Sequence, residues 1–154
     1  MSETPQAAVS RILALDVGLR RIGLALSDPL HITAQGLETL ARKNLRHDVW
    51  RLHQVAKQFE VGMFLVGHPL HMSGDVGRQA LLVEEFAGKL EQRTGIPVKL
   101  WDERLTTVEA GRVLRSSGIG IEKRAKAIDK LSAVLILQSY LDSLPEPCPW
   151  PEEE

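Results

Sequence analysis

The chain has 154 residues, of which 44% are hydrophobic and 5% aromatic, and it carries 19 Lys and Arg against 20 Asp and Glu. This composition predicts one globular domain with a core large enough to fold without disulfides. Cys148 is the only cysteine, which excludes an internal disulfide and favours a reducing compartment, the cytosol. No apolar run reaches the roughly 20 residues of a membrane-spanning helix, and residues 1–10 lack the pattern of a signal peptide. We therefore expect a soluble protein with no membrane partner.

The first third of the chain predicts an antiparallel meander followed by a helix. Two apolar runs, Arg11–Val17 and Arg21–Ser27, are separated by three residues, which is typical of two strands joined by a tight turn. Residues 32–40 alternate more loosely and are interpreted as a third strand. From Asn44 onward, apolar residues recur at helical spacing, which predicts an amphipathic helix with Asn44 as its N-cap. The apolar stripe consists of Leu45, Val49, Leu52, Val55, Ala56 and Phe59.

The remainder alternates strands with helices. Residues 61–66 are almost wholly apolar, as expected of a strand buried on both faces, and residues 67–77 form a polar loop. Residues 78–93 predict a helix that ends near Gly95 and turns Leu81, Leu82, Phe86 and Leu90 inward. The later predicted elements are a strand at 96–101, a helix at 106–115, a glycine-rich break at 116–120 and a last helix at 128–141. This order predicts an α/β fold with a mixed five-stranded sheet, in which three antiparallel strands precede parallel ones and helices flank the sheet.

Both ends of the chain differ in composition from the middle. Residues 1–10 and 142–154 are expected to be disordered, the latter because it is acidic and rich in proline. Residues 11–141 then form a single domain. Six of the 20 acids lie in the two ends, whereas all 19 basic residues lie between them, so the domain carries a formal charge of +5. The net charge of the whole chain is near zero because a basic domain is combined with acidic ends. A basic domain is compatible with a nucleic-acid partner.

Four acidic residues stand where a sheet or a helix presents side chains at an edge. Asp16 is near the end of a strand, Asp102 and Glu103 follow another, and Asp129 opens the last predicted helix. Each also has a structural explanation, as a turn cap, a solvated loop acid or a partner of the helix dipole. If they converge, oxygen-only ligands favour Mg²⁺ or Mn²⁺, and two such ions about 3.5–4 Å apart can catalyse phosphodiester hydrolysis. The placement thus suggests a metal-dependent phosphodiesterase.

Four motifs in order along the chain resemble the YqgF/RuvX family, which is described as similar to Holliday-junction resolvases and assigned to processing of the 16S ribosomal RNA precursor. They are DVGLRRIG at 16–23, VGHPLHMSG at 66–74, WDERLTTVEA at 101–110 and IDKLSAVLILQ at 128–138. The resemblance runs from about residue 11 to 141 and implies an RNase H-like fold. It also implies a nuclease that acts on RNA at the 5′ end of pre-16S rRNA, within a ribosomal precursor particle.

By this resemblance, the acidic triad of the family corresponds to Asp16, Glu103 and Asp129. These would be the catalytic residues and the ligands of two Mg²⁺ or Mn²⁺ ions, with Asp102 as a neighbour. The family's loop usually reads closer to GLPLNMDG, so His68, His71 and Ser73 depart from it. Any contact that the family makes through the Asn or Asp of that loop is therefore in doubt here.

Several basic residues lie close in sequence to the proposed ligands and are candidates for contact with the phosphate backbone. These are Arg20, Arg21, Arg104 and Lys130, with His71 as a candidate from the loop. Their alternative role is that of an ordinary solvated surface. Trp50 and Trp101 are interpreted as core or rim aromatics rather than as platforms for bases.

Other functions are weighed against the RNA nuclease. An actin-like ATPase needs two lobes, for which the chain is too short, and it has no Walker A motif. A resolvase of four-way DNA junctions remains an alternative, although it ordinarily needs a dimer with two sites, and a monomer or weak homodimer is expected. A non-catalytic RNA-binding factor in ribosome assembly is the third alternative.

Overall fold

The computed structural model of the chain describes residues 10–71, 73–105 and 121–145, and of residues 105 and 121–130 it describes the backbone alone. The predicted helix at 106–115 and break at 116–120 lie outside these residues, as do most of the two ends predicted to be disordered. No helix in the described part is both long enough and apolar enough to cross a membrane.

One mixed sheet forms the centre of the fold. Its strands are β1 (Arg11–Val17), β2 (Arg21–Ser27), β3 (Ala34–Gly36), β4 (Leu40–Ala41), β5 (Val61–His68) and β6 (Val98–Asp102). They are arranged in the order β3-β2-β1-β5-β6, with β4 also on β2. The β1–β2, β2–β3 and β2–β4 pairs are antiparallel, whereas β1–β5 and β5–β6 are parallel. The predicted change from antiparallel to parallel pairing is therefore confirmed, and the carboxyl ends of β1, β5 and β6 lie at one edge.

The single third strand predicted at residues 32–40 is wrong, because the segment forms the two short strands β3 and β4, and the sheet therefore has six strands in place of the five predicted. Leu37 packs against the same core cluster that contains Leu40. In an unbroken strand, Leu37 and Leu40 would point to opposite faces of the sheet because they are three residues apart. Since both contact the same core, the strand is interrupted between them. The segment still follows β2, since the Leu37 amide donates to the carbonyl of Leu24 at 2.9 Å.

Two helices cover one face of the sheet. Helix α1 (Leu45–Phe59) begins as predicted, with the Asn44 side chain accepting a hydrogen bond from the His47 amide at 2.8 Å. Helix α2 (Arg78–Thr94) ends at Gly95, whose φ of 73° is the left-handed conformation that favours glycine. The core on this face joins β1, β2 and β5 to the buried stripes of both helices.

The predicted inward face of α2 is partly wrong. Leu81 and Leu82 are 53% and 44% exposed, whereas Phe86 and Leu90 are buried as expected. Ala80, Val83 and Ala87 complete the buried stripe. Because Ala80 and Ala87 are small, α2 packs closely against the sheet through them. Leu81 and Leu82 then lie toward the solvent-exposed side of the helix.

Helix α3 (Ile121–Ser143) covers the opposite face and begins seven residues before the predicted start at 128. Its buried residues Ala133, Ile136, Leu137 and Leu141 pack against a second core cluster from the central strands. The sheet is thus buried between α3 on one side and α1 and α2 on the other.

A partly buried ion pair fixes the turn between β1 and β2. The Arg42 Nε donates to Asp48 Oδ2 at 3.0 Å, and Asp48 is only 2% exposed. The same guanidinium donates to the carbonyl of Gly18 at 3.0 Å and lies 5.2 Å from the centre of the Phe86 ring. Asp48 also accepts from the Lys43 amide at 3.1 Å. Arg42 therefore ties α1 and α2 to the turn after β1.

We expect Asp48→Ala to lower the free energy of unfolding by about 2–3 kcal/mol, because it leaves the Arg42 Nε and the Lys43 amide without their acceptor and the Arg42 charge without its partner. Urea denaturation monitored by circular dichroism measures this change. Asp75→Ala is the matched control, since Asp75 is exposed and its loss should change stability by no more than about 0.5 kcal/mol. Equal stability of the two variants would contradict this role for Arg42 and Asp48.

Candidate active site

Asp16 lies one residue before the end of β1 and is partly buried. Side chains alternate along the strand, and Ile12 and Ala14 belong to the core cluster covered by α3. Asp16 therefore faces the α3 side of the sheet, at the edge where the parallel strands end. Opposite it on β2 is Gly23.

Glu103 reaches the same side from two strands away. It is the first residue of a short 3₁₀ turn that directly follows β6. A Cβ added to Gly67 of β5 would lie 2.7 Å from the Glu103 Oε2 and 2.6 Å from the Ile136 Cδ1. The carboxylate of Glu103 therefore occupies a notch in the sheet that exists because residue 67 has no side chain, and α3 borders this notch.

The two carboxylates interact electrostatically. Burial raises the pKa of Glu103 to about 7, and the negative charges of Asp16 and then Asp102 add to the increase. Like charges brought together in a partly buried place disfavour ionisation of one of them. A carboxyl group with this pKa is thus half protonated near neutral pH and would ionise fully beside a cation.

Asp102 is engaged differently from its neighbour. Its carboxylate accepts from the Arg104 guanidinium, with the shortest contact at 2.6 Å, and from the Arg104 amide at 2.9 Å. Hydrogen bonding to Arg104 accordingly lowers the pKa of Asp102. The sequence-based view of Asp102 as a neighbour of the site agrees with this arrangement.

The predicted phosphate contacts occupy different positions around this edge. Arg20 is exposed in the β1–β2 turn, next to Arg21, which begins β2. Arg104 forms an ion pair with Asp102. Its Nη1 is also close to the loop after β5, since a Cβ added to Gly74 would lie 3.4 Å from it. Lys130 lies on α3, but its side chain is outside the described residues.

The loop after β5 is anchored by two histidines. The His71 ring packs on Gly77, where an added Cβ would lie 2.3 Å from Nε2. His68, at the end of β5, hydrogen-bonds through Nε2 to Glu84 of α2 at 2.8 Å. This second contact was not foreseen, since the two residues are 16 apart and neither stands in a known motif. The His71 ring therefore packs against the residue that precedes α2, and among the described side chains it makes no ion pair with Asp16 or Glu103.

The third predicted ligand, Asp129, is on α3, and its side chain lies outside the described residues. Among side chains that the structure describes, no group of three or more His, Cys, Asp or Glu is placed to hold a metal ion. The described part of the site is thus the pair Asp16 and Glu103. An all-oxygen donor pair suits a hard divalent cation, and such a cation would favour the ionised form of Glu103 against the burial and the neighbouring charges that raise its pKa.

Trp101 of β6 packs as a rim aromatic. Its indole Nε1 donates to Ser139 Oγ at 3.2 Å, and its ring meets that of Tyr140 edge to face at 5.2 Å between centroids. These contacts hold α3 against β6, directly before Glu103 in the chain. Trp50, by contrast, is 58% exposed.

Comparison with known proteins shows which family the chain resembles. The family model described as RuvX, Holliday junction resolvase, matches residues 10–143. A protein of Koribacter versatilis named "Putative pre-16S rRNA nuclease" is 55% identical over 138 residues, which are 90% of this chain and 90% of that protein.

Two solved structures show the same fold at low sequence identity. Thermus thermophilus RuvC in complex with Holliday junction substrate has a TM-score of 0.55 and 14% identity, and the match covers 86% of this chain and 95% of that one. The fowlpox virus Holliday junction resolvase has a TM-score of 0.52 and 14% identity, covering 87% and 99%. The α/β fold predicted from sequence is therefore the RNase H-like fold of these resolvases, and the chain belongs to the RuvX family.

Proposed function

We propose that this protein is a metal-dependent nuclease that hydrolyses phosphodiester bonds in the precursor of 16S ribosomal RNA, in the cytosol. The observation that carries the proposal is that the Glu103 carboxylate occupies the Gly67 notch close enough to Asp16 for the two charges to interact. The name of the Koribacter relative supports the choice of RNA substrate. The formal charge of +5 on residues 11–141 supports a polyanionic partner.

The proposed cation site consists of Asp16 and Glu103 together with Asp129. Position 129 is four residues before Ala133 and seven before Ile136 in sequence, a helical spacing that supports its inclusion in the site. Mg²⁺ or Mn²⁺ bound there would supply an activated water and stabilise the leaving oxygen of the phosphodiester. No covalent intermediate with the protein is needed.

The surrounding residues would hold the substrate and the carboxylates in place. Gly67 leaves the space that Glu103 occupies, and Arg42 holds the turn that carries Arg20. Arg20 is exposed and would contact the phosphate backbone. Asp102 orients Arg104 toward the same edge through their ion pair, so Arg104 is a second candidate for this contact.

Asp16→Asn and Glu103→Gln should each reduce cleavage of a structured precursor RNA by about a hundredfold or more in Mg²⁺, because each removes a charged ligand while keeping the shape of the side chain. Chelator should abolish cleavage by the wild-type protein. Gel analysis of labelled precursor RNA measures the rates. Glu38→Gln, which neutralises an exposed acid between β3 and β4, should cleave like wild type.

The same gels distinguish the alternatives. Cleavage of a four-way DNA junction in preference to precursor RNA would overturn the proposed substrate and favour a resolvase. RNA binding without cleavage, unaffected by loss of Asp16 and Glu103, would indicate a non-catalytic assembly factor.

Gly67→Ala should reduce Mg²⁺-dependent cleavage by at least about tenfold, because the added methyl group would displace the Glu103 carboxylate. Gly88→Ala on α2 is the matched control, since an added Cβ there meets nothing within 4 Å. The control should retain activity and gain about 0.5–1 kcal/mol of stability from the better helix former.

The Gly67 substitution also meets the Ile136 Cδ1, which could disturb folding by itself. Adding Ile136→Val removes that atom and leaves the conflict with Glu103. We expect the double variant to have a wild-type circular dichroism spectrum and still cleave poorly. A folded double variant with full activity would contradict the proposed role of the notch.

A further inference from the structure

A second cavity lies on α1 and has no part in the site described above. Its volume is about 670 Å³, and its polar lining comes from Asn44, Arg46, His47, His53 and Arg93, with Trp50 as its large aromatic. Arg46, Trp50 and His53 are spaced four and three residues apart, so they form one stripe along α1. Arg93, from the last turn of α2, adds a second guanidinium from outside that stripe.

The charge of this cavity distinguishes it from three others in the described part of the chain. Its lining includes two arginines and no acid. The others each include at least one carboxylate, from Asp48, Glu38 or Glu85. Two guanidinium groups without a carboxylate among the lining residues favour an anionic ligand.

Trp50 gives the cavity an aromatic surface that the fold does not use. The side chain is 58% exposed, and its nearest described ring is that of His47, 6.2 Å away between centroids and tilted by 39°. Burying so large an apolar surface is the usual use of tryptophan, so an indole left largely in solvent in a cavity that two arginines also line is available for stacking. Of the two positions predicted for Trp50, core or rim, the structure excludes the core.

The cavity has a neighbour beside the turn between β1 and β2. Asn44 lines both it and a neighbouring cavity of about 390 Å³. That neighbour is lined by Val17 and Leu19, which lie on either side of the turn directly after Asp16, and by Lys43. A chain bound at Trp50 could thus continue over Lys43 to the turn that carries Arg20, on the α1 and α2 side of the sheet, whereas Asp16 faces the α3 side.

We propose that the Trp50 cavity binds a single-stranded segment of the RNA substrate, with a base stacked on the indole and phosphates held by Arg46 and Arg93. The inference rests on the proposed function, since it takes RNA as the substrate and adds a second contact to it. Single-stranded RNA fits better than a duplex because only unpaired bases expose a face for stacking. An apolar partner protein fits less well, because only Val49 and Trp50 among the seven lining residues are hydrophobic and the other five are polar or charged.

The test is direct binding by the full chain in chelator, where cleavage does not interfere. A fluorescein-labelled single-stranded RNA of about 12 nucleotides and the corresponding duplex are titrated by fluorescence anisotropy at several salt concentrations. Trp50→Ala should weaken binding of the single strand about tenfold and leave the duplex nearly unchanged. The double variant Arg46→Gln with Arg93→Gln should reduce the slope of log affinity against log salt by about 1.4.

Arg51→Gln is the matched control, because Arg51 is on the same helix and lines a different cavity together with Glu38. It should bind the single strand like wild type. The inference is overturned if Trp50→Ala binds like wild type, or if it weakens single strand and duplex equally. It is also overturned if the arginine variant loses binding to polyglutamate and keeps its affinity for RNA, which would indicate an acidic protein partner.

The two proposals fail separately. A wild-type protein that binds through Trp50 but does not cleave in Mg²⁺ would overturn the nuclease alone. A protein that cleaves RNA and whose binding is insensitive to Trp50→Ala would overturn the second contact alone.

Discussion

The absence of a side chain at Gly67 is the constraint on which the site depends. The parallel pairing of β5 with β1 and β6 puts this residue between the strand that carries Asp16 and the strand that precedes Glu103. Any Cβ there would meet both Glu103 and Ile136 of α3. One glycine therefore sets where the carboxylate sits and how closely the third helix approaches, and it brings two like charges together at an energetic cost that a cation would remove.

Most of the fold follows from local pattern. Short apolar runs, the Asn44 cap and the Gly95 stop predicted strands and helices within a few residues, because periodicity and capping are local properties. The misses have tertiary causes. The segment after β2 breaks because Leu37 and Leu40 face one core, and α2 buries Ala80 and Val83 in place of Leu81 and Leu82. Both the strand break and the buried face of α2 depend on how the elements pack together, which local sequence pattern does not specify.

The site was predictable only in part. Edge-placed acids and the family resemblance identified Asp16 and Glu103, and the structure brings these two to one side of the sheet. The notch at Gly67 depends on cross-strand register, and the His68–Glu84 contact joins residues 16 apart, so neither could be derived from spacing. For Arg104, the sequence predicted a substrate contact but not the side-chain partner. Its position next to Glu103 predicted a phosphate contact, whereas its pairing with Asp102 depends on a turn geometry that composition does not reveal.

If Asp16 and Glu103 share one partly buried site, the pKa of Glu103 depends on the charge of Asp16. Carbon-detected NMR of the Glu103 carboxyl, titrated without metal in wild type and in Asp16→Asn, measures that value. We expect a pKa of about 7 in the wild type. In the variant it should fall but stay above the ordinary 4.5, because burial is the larger cause and the charge of Asp16 the second. A wild-type pKa near 4.5 that does not change in Asp16→Asn would contradict the account.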